Sequence, residues 1–287
     1  MNKKLIVILG PTASGKSELA IKLAKKFNGE IISADSRQIY KELNIGTNKL
    51  TKKEMGGIPH HLLNIISPNR KFTIANYQKL AKEAINKILK KNKIPILCGG
   101  TGFYIQAVVD GIVIPRVPPD WKLRKKLEKK TTAELYKILK KLDPQRAKTI
   151  EKKNPRRLIR AIEIITKTKK PVPVLKKSPL PYPVLIIGIK LPKEELQKRI
   201  KKRVEKMIKM GLEKEAKKLI KKYDQVPPLQ TIGYQEWSYK NPKELIIRHT
   251  IQYAKRQMTW FKRDKRIHWV KNCQEAEKLA KKFLENK

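Results

Sequence analysis

Residues 4–17 read KLIVILGPTASGKS. Residues 4–9 are a β-branched apolar run stopped by Gly-Pro, which reads as a buried strand. Residues 10–17 match GxxxxGK[ST], and a helical pattern follows over residues 15–27, with Leu19, Ala20, Leu23 and Ala24 on one face. Strand, loop and helix in that order are the context in which the motif has physical meaning. Small residues let backbone N–H groups turn inward around phosphate oxygens. The helix N-terminus adds partial positive charge. Gly10, Pro11, Thr12, Ala13, Ser14, Gly15, Lys16 and Ser17 are therefore the candidate diphosphate-binding residues. Lys16 supplies a full charge, and the Ser17 hydroxyl is a candidate Mg²⁺ ligand. The motif specifies a diphosphate or triphosphate, not the molecule that carries it.

Outward from this stretch, residues 30–34 and 94–98 read as further strands, with helical spacing over 77–89 between them. Strands alternating with helices predict an α/β core with a parallel sheet covered on both faces, of P-loop NTPase-like type. Pro115, Pro118 and Pro119 then mark a boundary, and Pro171, Pro173, Pro179, Pro181 and Pro183 a second one. Between them the pattern is helical and basic, with 22 Lys/Arg against 6 Asp/Glu over residues 115–180. Residues 184–190 return to strand character, and 192–223 and 242–265 read as long helices. The expected organisation is a catalytic core of residues 1–114 and 184–287, closed by C-terminal helices. A basic all-helical insertion occupies residues 115–183.

The whole chain carries 69 Lys+Arg against 25 Asp+Glu, a net charge of +44. That sign favours polyanions, nucleic acid first. Abundant Lys and Ile are also what AT-rich coding DNA produces, so local Arg clusters carry more information than the total. Cys98 and Cys273 form no CxxC pair, which excludes a disulfide framework and a cysteine zinc site and fits a reducing cytoplasm. The apolar run near the N-terminus is too short for a signal peptide and leads into the phosphate loop. No stretch reaches membrane-spanning length.

Two other segments belong beside the phosphate loop. Residues 31–40 (IISADSRQIY) are a strand running into an acidic, polar turn, and 99–105 (GGTGFYI) are a second glycine loop after a strand. Ligands of open α/β sheets sit at the carboxyl ends of strands, so the three segments converge on one crevice. Together GPTASGKS, SADSRQIY and GGTGFYI resemble the tRNA dimethylallyltransferase (tRNA isopentenyltransferase) family. Later segments agree in order: DPQRA at 143–147, NPRRLIRAIEI at 154–164, RIKKRVEKMIKMGL at 199–212, IGYQE at 232–236 and AKRQMTWFKRD at 254–264.

The resemblance implies a specific use of the loop. It would hold dimethylallyl diphosphate, and the acceptor would be the N6 amine of the adenosine 3′-adjacent to the anticodon in tRNA. Asp35 matches the family's general base, with a metal-organising role as the alternative. Thr101 matches the threonine at the bridging oxygen of the diphosphate. Arg203 matches an arginine that reaches the diphosphate, with Arg199 one turn earlier on the same face. Asp35, Ser36, Arg37, Gln38 and Thr101 match positions that contact the target nucleotide. Arg124, Arg156, Arg157 and Arg160 match positions on the tRNA-contacting surface of the insertion. Guanidinium groups suit that surface because they bind phosphate bidentately and stack on bases. In the 254–264 segment Arg256 is given a mixed role, and Trp260 and Phe261 are read as core packing. Adjacent His60 and His61 make a poor zinc site and read as structural or as pocket lining.

The family type further implies a monomer in the cytoplasm, and no CxxC…HxxxH extension of the eukaryotic kind is present, which implies a bacterial type. Three other readings are a P-loop kinase for a small metabolite, a prenyltransferase for a free nucleotide, and a non-catalytic RNA-binding protein. The SADSRQIY and GGTGFY segments oppose the first, the basic insertion opposes the second, and intact Lys16, Ser17, Asp35 and Thr101 oppose the third.

Overall fold

The computed structural model describes residues 3–115, 117–224 and 226–286. Its centre is β1 (Leu5–Leu9), with every residue buried. Alternation along the strand sends Leu5, Val7 and Leu9 to one face of the sheet and Ile6 and Ile8 to the other. Helix α1 (Lys16–Lys26) packs Leu19, Ala20, Leu23 and Ala24 on the Ile6/Ile8 face. After β2 (Gly29–Ser33) and the two-residue β3 (His60–His61) comes α2 (Ile74–Lys90), which covers the opposite face through Tyr77, Ala81, Ile85 and Ile88. β4 (Ile94–Gly99) and α3 (Gly102–Val109) complete this half.

The chain then leaves the sheet for α4 (Trp121–Leu127), α5 (Thr132–Leu142), α6 (Pro144–Thr149) and α7 (Pro155–Thr168). Each of these helices has a side-chain N-cap, from Asp120, Thr131, Asp143 and Asn154 in turn. The chain returns through β5 (Val184–Ile189), α8 (Lys193–Lys209), α9 (Leu212–Tyr223), α10 (Pro242–Phe261), β6 (Ile267–Val270) and α11 (Cys273–Glu285). The sheet order is β3-β2-β4-β1-β5-β6, with all neighbours parallel. No helix among the described residues is long and apolar enough to cross a membrane.

The chain divides into two compact units, Met1–Gly111 with Pro179–Lys287, and Ile112–Ser178. The second unit is helical, has its own core of Leu127, Leu135, Leu139, Leu158, Ile162 and neighbours, and begins and ends where Ile112 pairs antiparallel with Lys177. The boundaries expected at residues 115 and 183 fall a few residues later, because prolines mark where chain direction changes rather than where this pairing closes.

Two expectations need correction. Residues 192–223 do not form one helix. Gly211, at φ +91°, takes the left-handed conformation that side chains resist, and the chain turns there between α8 and α9. The C-terminal region is not helices alone, because β6 adds a sixth strand beside β5 before α11 packs on the Ile6/Ile8 face. Residues 60–61 form an edge strand, which gives the two histidines the structural role expected of them. His61 Nε2 lies 2.7 Å from Glu30 Oε2, and His60 Nδ1 lies 2.7 Å from Ile58 O.

Glu30 on β2 is fully buried, and Lys91 and Lys93 Nζ reach its Oε1 at 3.0 and 3.1 Å. Burial pushes this carboxyl upward, but the bonds from His61, Lys91 and Lys93 outweigh it and hold it at about 2. A carboxyl depressed below its unfolded value stabilises the fold fully above that value and loses the effect as pH falls towards the folded one. Glu30→Gln is expected to cost about 2–3 kcal/mol at neutral pH. The gap to the native protein should close between about pH 4.5 and pH 2 in urea unfolding. A gap independent of pH would remove the ion cluster from the account.

Candidate active site

The phosphate loop leaves the C-terminal end of β1 and closes into α1. Closure requires left-handed backbone at Ala13 (φ 63°) and at Gly15 (φ 89°), the residue preceding α1. A non-glycine residue in that region costs about 1–2 kcal/mol, so Ala13 holds local strain that the surrounding structure must over-determine. Lys16 lies half-buried, its Nζ donating to Pro11 O at 3.1 Å. Burial lowers its pKa, the Arg203 charge lowers it further, and Asp35 opposes both. Ser17 follows in the first turn of α1.

The second wall comes from β2 and β4. Ala34 N donates to Cys98 O at 2.7 Å, and Thr101 N donates to Ala34 O at 3.1 Å. The backbones approach so closely that a Cβ on Gly99 would fall 2.2 Å from Ala34 O. Thr101 Oγ1 accepts from Ser36 N at 3.0 Å, and Asp35 Oδ1 accepts from Arg37 N at 2.8 Å and Gln38 N at 3.4 Å. Beneath this wall Tyr77 donates to Ser33 O at 2.9 Å and stacks on Tyr104 with ring centroids 3.8 Å apart.

Helices α8 and α10 supply the third wall. Arg203 Nη1 donates to Thr12 Oγ1 at 2.9 Å. Burial lowers the Arg203 guanidinium to about 10, with the Asp35 carboxylate pulling the other way, so it is charged at neutral pH. Gln257 is buried and bonds at both ends of its amide. Its Oε1 accepts from Thr12 N at 2.8 Å, and its Nε2 donates to Gly100 O at 2.8 Å. Tyr253, one turn earlier, bonds to Thr101, and burial pushes its phenol up to about 12. Lys16, Arg203, Asp35 and Thr101 thus meet around one loop.

A family model described as IPP transferase matches residues 38–264. The tRNA dimethylallyltransferase of Halothermothrix orenii is 42% identical over 309 residues, covering 99% of this chain and 94% of that one. The chain belongs to the IPP transferase family. Among solved structures, the tRNA isopentenylpyrophosphate transferase of Bacillus halodurans aligns with a TM-score of 0.73 at 35% identity, covering 98% of this chain and 95% of that one. A eukaryotic dimethylallyltransferase acting on tRNA aligns at 0.77 with 30% identity, covering 98% of this chain and 77% of that one.

Against this family frame the predicted residues separate into groups. Asp35, Thr101 and Arg203 come together with Lys16. Arg199 instead bonds Glu195 Oε1 at 2.6 Å and lies on the Gly15 side of the loop. Gln38 uses its amide internally, accepting from Ser33 Oγ at 3.3 Å and donating to Thr47 O at 3.2 Å. It ties the 44–49 loop to the end of β2. Ser36 spends its N–H on Thr101, and Arg37 is half-buried.

In the second unit Arg156 and Arg157 are exposed on α7, and Arg157 Nη1 sits 3.4 Å from Glu151 Oε2. Arg124 and Arg160 behave differently. Both bond the fully buried Glu163, Arg124 through Nε and Nη2 at 2.7 Å each and Arg160 through Nη1, while Arg160 Nη2 donates to Val117 O at 2.9 Å. Burial pushes the Glu163 carboxyl up, and these guanidinium bonds outweigh it and hold it low.

Three residues escaped the sequence reading: Gln257, Glu163 and Glu215, whose carboxylate accepts from Ile45 N and Gly46 N at 3.0 Å and from Tyr234 OH at 2.8 Å. The signal for Gln257 was available, since Ala254, Gln257 and Phe261 share the buried stripe of α10. A polar residue on an apolar stripe asks for partners.

Replacing Gln257 by Leu leaves Thr12 N–H and Gly100 C=O unpaired, at about 1–3 kcal/mol each. Gln257→Leu is expected to weaken binding of inorganic diphosphate about tenfold or more in calorimetry, with tRNA affinity kept. Diphosphate affinity equal to that of the native protein would remove Gln257 from the site's architecture.

Proposed function

We propose that this transferase moves the dimethylallyl group of dimethylallyl diphosphate to the N6 amine of the adenosine 3′-adjacent to the anticodon in tRNA. The observation that carries the reading is the meeting of Lys16 and Arg203, two half-buried cations, with one carboxylate, Asp35, around a loop built for phosphate. One carboxylate does not balance two partly buried cations, and an anionic substrate supplies the rest.

The allylic C–O bond breaks and its electron pair leaves with the diphosphate. Loop N–H groups, Lys16 and Arg203 take up that charge. Thr12 N–H is already committed to Gln257 and Ser14 N–H to Pro11 O, so the binding donors are the remaining N–H groups of the loop. The N6 nitrogen forms the new bond to the allylic carbon and gives its proton to Asp35. Two backbone N–H groups fix Asp35 Oδ1, leaving Oδ2 to take that proton. Thr101, fixed by Ser36 N and Tyr253, places its hydroxyl group beside the departing oxygen.

Mg²⁺ fits the Ser17 hydroxyl group. Ser17 offers a hard oxygen ligand of the kind Mg²⁺ takes, in the first turn of α1 after the phosphate loop, and would hold the ion there. When bound it neutralises charge on the diphosphate. The helical unit Ile112–Ser178 serves as the tRNA-binding insertion, with the exposed Arg156 and Arg157 as its phosphate contacts and with Arg124 and Arg160 holding its shape through Glu163.

The direct test is transfer of radiolabel from dimethylallyl diphosphate, with Mg²⁺, to unmodified tRNA, to AMP, and with ATP plus small acceptors. Label in tRNA alone is expected; label in AMP, or ADP formed from ATP, overturns the reading. Asp35→Asn should lower turnover at least a hundredfold while dimethylallyl diphosphate still binds. Loss of donor binding instead would assign Asp35 to the metal. Arg156→Ala with Arg157→Ala should weaken tRNA binding and reduce the salt slope by roughly one to two. Arg124→Ala should act chiefly on stability, and the reverse pattern would return Arg124 to the interface.

A further inference from the structure

Phe103 opens the first turn of α3 with 39% of its surface exposed, while Tyr104, Ile105, Val108 and Val109 behind it are buried. It stands two residues after Thr101, whose hydroxyl oxygen accepts the Ser36 N–H beside Asp35. We propose that Phe103 is a stacking platform for a nucleobase flanking the target adenosine, with Trp260 as its rigid support. The proposal rests on the reading of Asp35 and Thr101 as the acceptor end of the site.

The support is fixed by packing. The Phe103 and Trp260 rings meet edge-on, with centroids 6.3 Å apart and planes at 69°. The indole lies directly over Gly102, where a Cβ would fall 2.3 Å from Trp260 Cδ1 and 2.5 Å from Nε1. Only glycine admits that approach, so Gly102 and Trp260 hold each other, and Phe103 leans on a side chain with no room to retreat. An aromatic ring immobilised this way loses little further entropy when a partner stacks on it.

Charge on the segment that carries Trp260 favours a polynucleotide. Helix α10 and the turn after it present Lys255, Arg256, Lys262 and Arg263 to solvent, on the same segment as Trp260. Aromatic faces set among cations are the composition that binds unpaired nucleotides: the cations take the backbone, and the ring takes a base through its face. The other apolar candidate, the dimethylallyl tail, fits poorly. An allylic group about to ionise must be kept from water, and a ring this exposed does not exclude it. A base stacked on Phe103 is read by its face, not by its hydrogen-bonding edge. The contact therefore adds affinity and holds the neighbouring adenosine out of its stack without demanding one base identity.

The test compares Phe103→Leu, which keeps apolar bulk, with Phe103→Tyr, which keeps the ring, each checked by thermal unfolding. Phe103→Leu should raise the Kd and KM for tRNA about tenfold, and Phe103→Tyr should stay within about twofold of the native protein. The salt slope of tRNA binding and the KM for dimethylallyl diphosphate should not move in either, since no phosphate contact is removed. Anticodon stem-loops carrying 2-aminopurine on each side of the target should show one position whose fluorescence is quenched on binding native protein and Phe103→Tyr but not Phe103→Leu. Unchanged tRNA binding by Phe103→Leu, a rise in donor KM instead, or no quenched position with the native protein would each overturn the stacking role. If Asp35→Asn is inactive while Phe103→Leu binds tRNA normally, the stack alone has failed. If Asp35→Asn turns over normally, the acceptor-site reading has failed.

Discussion

The amide of Gln257 is donor and acceptor at once, and the site depends on both ends. Its oxygen takes Thr12 N–H and its nitrogen reaches Gly100 O, each at 2.8 Å, from a buried side chain. The phosphate loop leaves β1 and the second glycine loop leaves β4, and these strands are neighbours in the sheet. Left alone, two glycine-rich loops at a sheet edge would sample many conformations. A buried amide satisfied at both ends admits one spacing and one orientation. That fixes Thr12, and Thr12 Oγ1 then receives Arg203 from α8. One side chain from near the end of the chain thus aligns three elements that sequence separates widely.

Charge is handled in opposite ways in the two units. Around the phosphate loop, Lys16 and Arg203 are held with burial lowering both, while Cys98 and Asp35 oppose it at Lys16 and Asp35 at Arg203. The positive excess is a cost in the free protein that an anionic substrate removes, which makes binding selective for highly charged ligands. In the insertion, the carboxylate of Glu163 draws in Arg124 and Arg160, and the backbone N–H of Asp120 bonds it as well at 2.7 Å. Those arginines are largely consumed in ordering α4 against α7. The solvent-facing charge of this unit then comes from residues such as Arg156 and Arg157, whose side chains lie at the surface.

Much of the fold was legible because its signals are local. The apolar runs at 5–9, 94–99 and 184–189 are strands buried on both faces, and a parallel sheet needs no alternation in them. The proline clusters marked the excursion into the helical unit. What escaped was short or conditional. His60–His61 and Ile267–Val270 are too brief to show a period, and they are strands only because β2 and β5 offer open edges to pair with. The break at Gly211 lay inside a strongly helical pattern, where a single glycine does not by itself end a helix.

The sequence by itself determined the phosphate loop, the sheet class, the family, and the residue types that can bind a diphosphate, because these depend on neighbours along the chain and on motifs whose order is preserved. Only the tertiary structure decided which of those residues share a site. Arg203 and Arg199 lie on one helical face, yet one bonds Thr12 and the other Glu195. Arg157 and Arg160 lie one turn apart on α7, yet one is exposed and the other is tied to a buried carboxylate. Gln257 is an ordinary polar residue in its own helix and becomes a clamp only when α10 is laid across two loops from distant strands. Hydrogen bonding and desolvation act through space over a few ångströms. Their partners are therefore set by packing, which sequence spacing does not encode.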